Sequence, residues 1–219
     1  FTYPEEARHS VHLKKSLTPE MFEIAAPAGA KKVKAHVMEI IEAHVGTYHR
    51  LVEMEVVDGQ PYHQGAGDIA KVMVMERHGG PGNFGLGYVK GFGLTGGAVA
   101  STVAHDSHNL LIVGTNDEDM ALAGNTLAEL GGGMIAVKDG QVLAVLPLPI
   151  AGLMSDKSVE EVARAVARLD EAWKELGCRL VSPFMTMALI SLPVLPELRL
   201  TNRGLVDCLN FKMLPAVVE

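Results

Sequence analysis

Residues 69–76, IAKVMVME, put apolar side chains on both faces of an extended segment, with Val72 and Val74 on one face and Met73 and Met75 on the other. Successive side chains of a strand point to opposite sides, so a strand that is apolar on both must be covered on both and belongs in the middle of a sheet. Residues 79–97 follow directly, with nine glycines in nineteen positions. Any fold for this chain has to join a doubly covered strand to a stretch rich in residues free to adopt positive φ.

The other elements fall into place around that pair. β-branched content rises from Val33 to Ile41, and a second strand from Leu51 to Val57 ends at Asp58-Gly59, a dipeptide suited to a tight turn. Residues 61–68 read as loop and Asn109–Gly114 as a short buried strand. Asp117, Glu118 and Asp119 open a helix to about Leu130, with Met120, Ala123, Leu127 and Leu130 on one face and Gly131 as its cap. Met134–Val137 and Val142–Leu146 form a hairpin around Asp139-Gly140. In the longest helix, Val159, Val162, Val166, Leu169, Trp173 and Leu176 step by three and four after a Ser158–Glu161 capping box. Ser182-Pro183 starts a short apolar helix to about Ile190. Residues 1–32, punctuated by Pro4, Pro19, Pro27 and Gly29 without a sustained period, read as an N-terminal arm or linker to one domain spanning 33–219. The expected class is α+β, with mixed sheets and hairpins packed against several helices and no complete (β/α)8 barrel in this chain.

Composition removes several function classes. With 19 basic against 26 acidic side chains, a formal charge of −7, nucleic acid and anionic membrane surfaces are poor partners. No apolar run approaches the roughly 20 residues needed to cross a bilayer. Two cysteines, Cys178 and Cys208, are too few for a disulfide framework or a four-cysteine metal site and read as buried thiols in a reducing compartment. HxH, HExxH, the Walker loop, GxSxG and the zinc-deaminase signature with Pro-Cys-x-x-Cys are all missing.

Three constellations remain. Gly91-Phe-Gly93-Leu-Thr-Gly96 fits GxGxxG, but that fingerprint requires a buried strand before it, and the glycine-rich segment Gly82–Lys90 is expected to make a poor one. The alternatives are a glycine turn system or a loop that approaches a flat ligand with the rings of Phe84, Tyr88 and Phe92. Ala104-His105-Asp106-Ser107-His108-Asn109 concentrates polar groups just before an apolar strand, where a sheet can hold a site rigidly. On an extended segment His105 and His108 would point to opposite faces, and a bland reading has Asp106 and Asn109 bonding loop backbone. Glu76-Arg77-His78 ends the central strand, either to bind a polar substrate or as an Arg–Glu structural pair.

ERHGGPGNFGLGYVKGFGL (Glu76–Leu94), AVASTVAHDSHNLLIVGTNDEDMALAGN (Ala98–Asn125), LAELGGGMIAVKDGQVLAVLPLPIAGLMSD (Leu127–Asp156), SPFMTMALISLPVLPELRLTNRGLVD (Ser182–Asp207) and, more loosely, LTPEMF (Leu17–Phe22) closely resemble the C-terminal region of bacterial adenine deaminases, of the amidohydrolase superfamily. The resemblance covers most of 69–207 and is weaker over 1–68; Gly79 stands where the family tends to show a histidine. It implies hydrolysis of adenine to hypoxanthine and ammonia in purine salvage, with a related aminopurine as an alternative substrate, by metal-assisted attack of hydroxide on the amino-bearing carbon. The family's manganese or iron lies in a barrel domain with an HxH pair; this chain has no HxH, so no metal ligand is expected here and that barrel, in the same protein, becomes the partner. What the resemblance suggests for this chain is a cover over the barrel's active site, with His105, Asp106 and His108 as catalytic candidates and Arg77, His78, Asn83, Ser107 and Asn109 as substrate-binding candidates. Two other classes stay open: a non-catalytic oligomerisation module, and a stand-alone purine-type binding module. An HxH-bearing barrel upstream in the same reading frame selects the deaminase reading over both. The acidic charge and mean hydropathy of +0.19 fit a soluble cytoplasmic homo-oligomer.

Overall fold

The computed structural model describes residues 2–219. In chain order the elements are α1 (Glu5–Arg8), β1 (Lys32–Ile40), β2 (Thr47–Val57), β3 (Gln60–Pro61), β4 (Ile69–Met75), β5 (Phe84–Lys90), β6 (Ala98–Ser101), β7 (Leu110–Gly114), α2 (Asp117–Glu129), β8 (Gly133–Lys138), β9 (Gln141–Pro147), α3 (Val159–Glu175), α4 (Pro183–Leu189), β10 (Leu198–Thr201), β11 (Gly204–Asp207), β12 (Lys212–Leu214) and β13 (Val217–Val218). The large sheet runs β3-β2-β1-β5-β4-β7-β6-β8-β9 and stays open; β10-β11-β12 form a second, smaller sheet. All neighbours in the large sheet are antiparallel except β1 and β5, which run parallel with Val37 opposite Tyr88. The molecule is therefore α+β with mixed sheets and no closed barrel among the described residues.

β4 lies between β5 and β7 with all seven residues buried, as its two apolar faces require. Val72 and Val74 pack with Leu169, Trp173 and the small-sheet residues Leu198, Leu200 and Leu205. Met73 and Met75 pack with Met120, Ala123 and Leu127 of α2. The ends of α2 and α3 follow their sequence signals: Asn116 Oδ1 caps Asp119 N–H, and Ser158 with Glu161 closes a complete capping box. The apolar stripe of α3 is buried only in its second half. Leu169, Trp173 and Leu176 are in the core, Trp173 stacked on Phe92 at 5.5 Å, while Val159 is 81% exposed. Ser182 precedes α4 as expected, but its side chain makes no capping bond.

The segment Gly82–Lys90 corrects the sequence reading. It supplies β5, a central strand buried at Gly85, Gly87, Tyr88 and Val89. Its glycines are the reason it can be one. A Cβ on Gly85 would stand 2.2 Å from Thr201 O and 2.8 Å from Gly204 N, and one on Gly87 would stand 3.1 Å from a Leu205 methyl. The missing side chains let the small sheet lie against the backbone of β5. The GxGxxG stretch after it leads into β6, not into a helix, so the dinucleotide reading loses its anion-binding helix end.

Residues 11–24 lie along the sheet and α2. Leu17, Met21, Phe22 and Ile24 are buried, and Asn125 clasps Leu17 by receiving its N–H at 2.8 Å and donating to its carbonyl at 2.9 Å. β13 pairs with β1 at Lys34–Ala35, alongside the part of β1 that β5 covers at Val37–Glu39. No helix is long and apolar enough to cross a membrane among the described residues.

Candidate functional site

Two hairpin loops and the segment leading from β9 to α3 meet at one end of the large sheet. Met75 is paired with both Phe84 and Leu110, Ser101 with Leu111 and Met134, and Gly133 with Pro147. The 76–83 loop, the 102–109 loop and the 148–157 segment therefore form a common rim. α1 and the residues after it are strapped across it: Ala151 N–H donates to Ala7 O at 2.6 Å, and His12 N–H donates to Arg77 O at 2.8 Å.

Arg77 ties the rim together from beneath, where it is 1% exposed. Nε donates to His108 O, Nη1 to Ser10 O at 3.0 Å and to Ser10 Oγ at 3.4 Å, and Nη2 to Ala151 O at 3.1 Å. A guanidinium fork suits three carbonyls spread in this way, and its charge strengthens each bond. Gly152 makes the fit possible, since a Cβ there would stand 2.8 Å from Nη1. This corrects the substrate-binding candidacy of Arg77, whose donors face backbone inside the protein. The alternative Arg–Glu pair is not formed either; Glu76 receives the N–H groups of His78 and Gly82.

The remaining candidates sit on the rim. His105 and His108 do not diverge, because the 104–109 segment is a turn with His108 at φ 48°, and their rings meet edge to face with centroids 5.4 Å apart. His108 Nδ1 receives Ala104 N–H at 3.2 Å, which requires the neutral tautomer with hydrogen on Nε2. Burial first, and then the nearby charges of His105 and Arg77, push its pKa below the usual imidazole value. His105 N–H donates to Ala188 O at the end of α4, and Ser191 Oγ donates to His105 O at 3.1 Å. Asp106 is exposed, its side chain 83% accessible and 4.0 Å from His105 Nδ1. His78 Nε2 donates to Ser107 O at 2.7 Å, joining the two loops, and Asn109 Nδ2 donates to Ser107 Oγ at 3.2 Å. Asn109 Oδ1 is buried without a partner, the kind of exception concentrated at functional sites. Asn83 is exposed at the foot of β5, its carbonyl receiving Glu76 N–H at 2.9 Å. Among the described residues no three His, Cys, Asp or Glu side chains are grouped so as to hold a metal ion. Cys178 is buried, and Cys208 is half-buried.

Sequence reasoning missed what completes the rim: Ser10, His12 and Ala151, none of which has a chemical signature in its local sequence. It also missed a polar cavity of about 310 Å³ away from the rim, lined by Gln60, His63, Gln64, Lys71, Thr115 and Asp117. Lys71, the one charge inside the apolar run, was its signal. The ammonium bonds both oxygens of Asp117 at 2.8 and 2.9 Å. Burial, with the Lys71 charge second, pushes His63 down to about 4, and burial raises the Tyr88 hydroxyl. This pair fastens the start of α2 to the sheet.

The chain was compared with known proteins. Residues 44–212 match the family model for the adenine deaminase C-terminal domain. An adenine deaminase of Moorella thermoacetica is 70% identical over 215 residues, covering 98% of this chain and 36% of that protein. One from Clostridium botulinum is 58% identical across the whole chain, and one from Roseobacter denitrificans 43% identical across 99% of it, each again over 36% of the relative. The chain spans about a third of the length of the curated relatives it matches. With that match running through the rim loops, the small sheet and the helices alike, the chain belongs to the adenine deaminase C-terminal domain family.

Proposed function

We propose that this chain serves as the C-terminal domain of an adenine deaminase that hydrolyses adenine to hypoxanthine and ammonia in cytoplasmic purine salvage. In this reading the rim closes over an active site in a barrel domain of the same protein, where manganese or iron would supply the Lewis acidity. Among the described residues no three His, Cys, Asp or Glu side chains are grouped to hold that metal, which the barrel domain would bind.

The observation that carries the reading is the gathering of His105, Asp106, Ser107 and His108 on one rigid rim. Arg77 is joined to the 102–109 loop through His108 O and is spent inside the protein, while Glu76 and Asp106 remain at the rim. Such a rim suits a neutral heterocycle better than a phosphorylated one. His108, held neutral, keeps Nε2–H as a donor matched to a purine ring nitrogen. His105 and Asp106 stand where a donor and an acceptor can orient the ring or hold a proton.

In the full-length enzyme, His105→Ala and Asp106→Ala should each lower kcat/KM for adenine by about tenfold or more with folding intact, a threshold below the roughly hundredfold low end for a positioned acid or base. Wild-type kinetics in both would remove the rim from the reaction and favour a non-catalytic role in subunit association.

A further inference from the structure

The polar cavity beside Lys71 lies at the other end of the large sheet from the rim. Lys71 stands on β4 opposite Gly114, and Met75 stands opposite Leu110, so about 13 Å of strand separates the cavity from the rim loops. Its walls come from β3, the single helical turn His63–Ala66 and the start of α2.

The protein does not use all of the polar groups gathered there. An ammonium can only donate and a backbone carbonyl can only accept, which fixes the orientation of both glutamines. Gln60 Oε1 receives Lys71 Nζ at 3.3 Å, leaving the amide N–H groups of Gln60 to spare. Gln64 Nε2 donates to Thr115 O at 2.7 Å, leaving Gln64 Oε1 to spare. Between them in sequence, His63 is 7% exposed, and its Nε2 is buried with no hydrogen-bond partner. The Tyr88 hydroxyl is also buried and unpartnered, its ring 5.9 Å from that of His63. Buried polar atoms are nearly always paired, so two neighbouring exceptions at the wall of a cavity point to a guest.

We infer that this cavity binds a purine base, at a site separate from the reactive centre that the functional reading places under the rim. The ligand class comes from the side chains themselves. Gln60 as donor and Gln64 as acceptor match the adjacent acceptor and donor on a purine edge, a ring nitrogen beside an amino group or a carbonyl beside a ring N–H. Tyr62, 47% exposed at the mouth, is an aromatic ring of the kind on which bases stack. The volume of about 310 Å³ is at the low end for small-molecule sites and suits a base better than a nucleotide. Charge argues the same way. Asp58, Asp117 and Glu118 line the cavity against the single cation Lys71, whose ammonium is already bound to both oxygens of Asp117. A phosphate would meet unbalanced carboxylates, whereas a neutral ring would not.

The test is hydrogen exchange on the full-length protein, read peptide by peptide by mass spectrometry, with and without hypoxanthine. Saturating hypoxanthine should slow exchange across residues 60–66 by about fivefold or more. Gln60→Glu keeps an acceptor for Lys71 and removes the amide donor; Gln64→Leu removes the acceptor. Each should abolish the protection at 60–66 while the peptide of α3 exchanges as in wild type, which shows that the fold is kept. Inosine monophosphate, the same base carrying a ribose phosphate, should need at least about a tenfold higher concentration for the same protection. No protection at 60–66, protection that survives both variants, or equal protection by the phosphorylated compound would overturn the inference. His105→Ala should leave the protection in place; its loss in that variant would make the effect a relay from the rim and overturn a separate site. The functional reading is judged by adenine kinetics and this one by exchange at 60–66, so the failure of either is visible without the other.

Discussion

Arg77→Lys keeps the positive charge under the rim and removes the shape that uses it. The native guanidinium donates to carbonyls of Ser10, His108 and Ala151, which come from three separate segments. A lysine ammonium is a single point at the end of a flexible stem and cannot span them. With two charge-assisted bonds lost at about 1.5–3 kcal/mol each, and buried carbonyls left unpaired, the local cost is at least about 3–6 kcal/mol. The amides that report it are His12 N–H on Arg77 O, Ala151 N–H on Ala7 O and His108 N–H on Ala104 O. Because about 1.4 kcal/mol is a factor of ten, hydrogen exchange at these amides should accelerate about a hundredfold or more. Peptides from α2 and α3, which Arg77 does not touch, should keep their protection. Exchange at the three reporters within about twofold of wild type, in a folded variant, would refute the argument that Arg77 organises the rim.

Gly85→Ala should destabilise the protein by at least about 1–3 kcal/mol, since its Cβ would meet backbone of the small sheet. Gly140→Ala, with open space around it and only φ 74° to strain it, should cost about 1 kcal/mol. Equal losses in denaturation midpoint would contradict the contact between the sheets. Stability should also fall on acidification. His63 has a folded pKa of about 4 against an ordinary value of 6.5, so the unfolded chain binds the extra proton between those values. The stabilising contribution is complete above pH 6.5 and falls progressively as pH drops towards 4, by about 2 kcal/mol at pH 5. Denaturant titrations should show this slope and lose most of it in His63→Gln; an unchanged slope in the variant would place the proton elsewhere.

The sequence was most legible where one segment carries its own signal. The two-faced apolar run of β4, the caps of α2 and α3, and Asp139-Gly140 between β8 and β9 each fix local structure within a few residues. β5 was not legible because glycine lowers strand propensity, and the compensating contact comes from residues 201–205, more than a hundred positions away. The three short strands of the small sheet were missed for a related reason: they follow Pro193 and Pro196, and their pairing is set by packing on β5. At the rim the polar motifs were visible as a candidate site, but their roles were not. Arg77 looks like a ligand-binding side chain until its partners at residues 10, 108 and 151 are seen. His105 and His108 look divergent until the left-handed backbone at His108 turns the loop and brings the rings together.

β13 has a consequence for handling this protein. It occupies the length of β1 that β5 leaves open, so its two residues act as a stopper on a backbone that would otherwise offer free amides and carbonyls to any extended peptide. Versions of the protein trimmed before Val217 should keep their helices and the arrangement of the rim yet become sticky, recruiting strands from neighbouring molecules along Lys34–His36. A solubility lost to such trimming would then reflect an unguarded seam and not a damaged core.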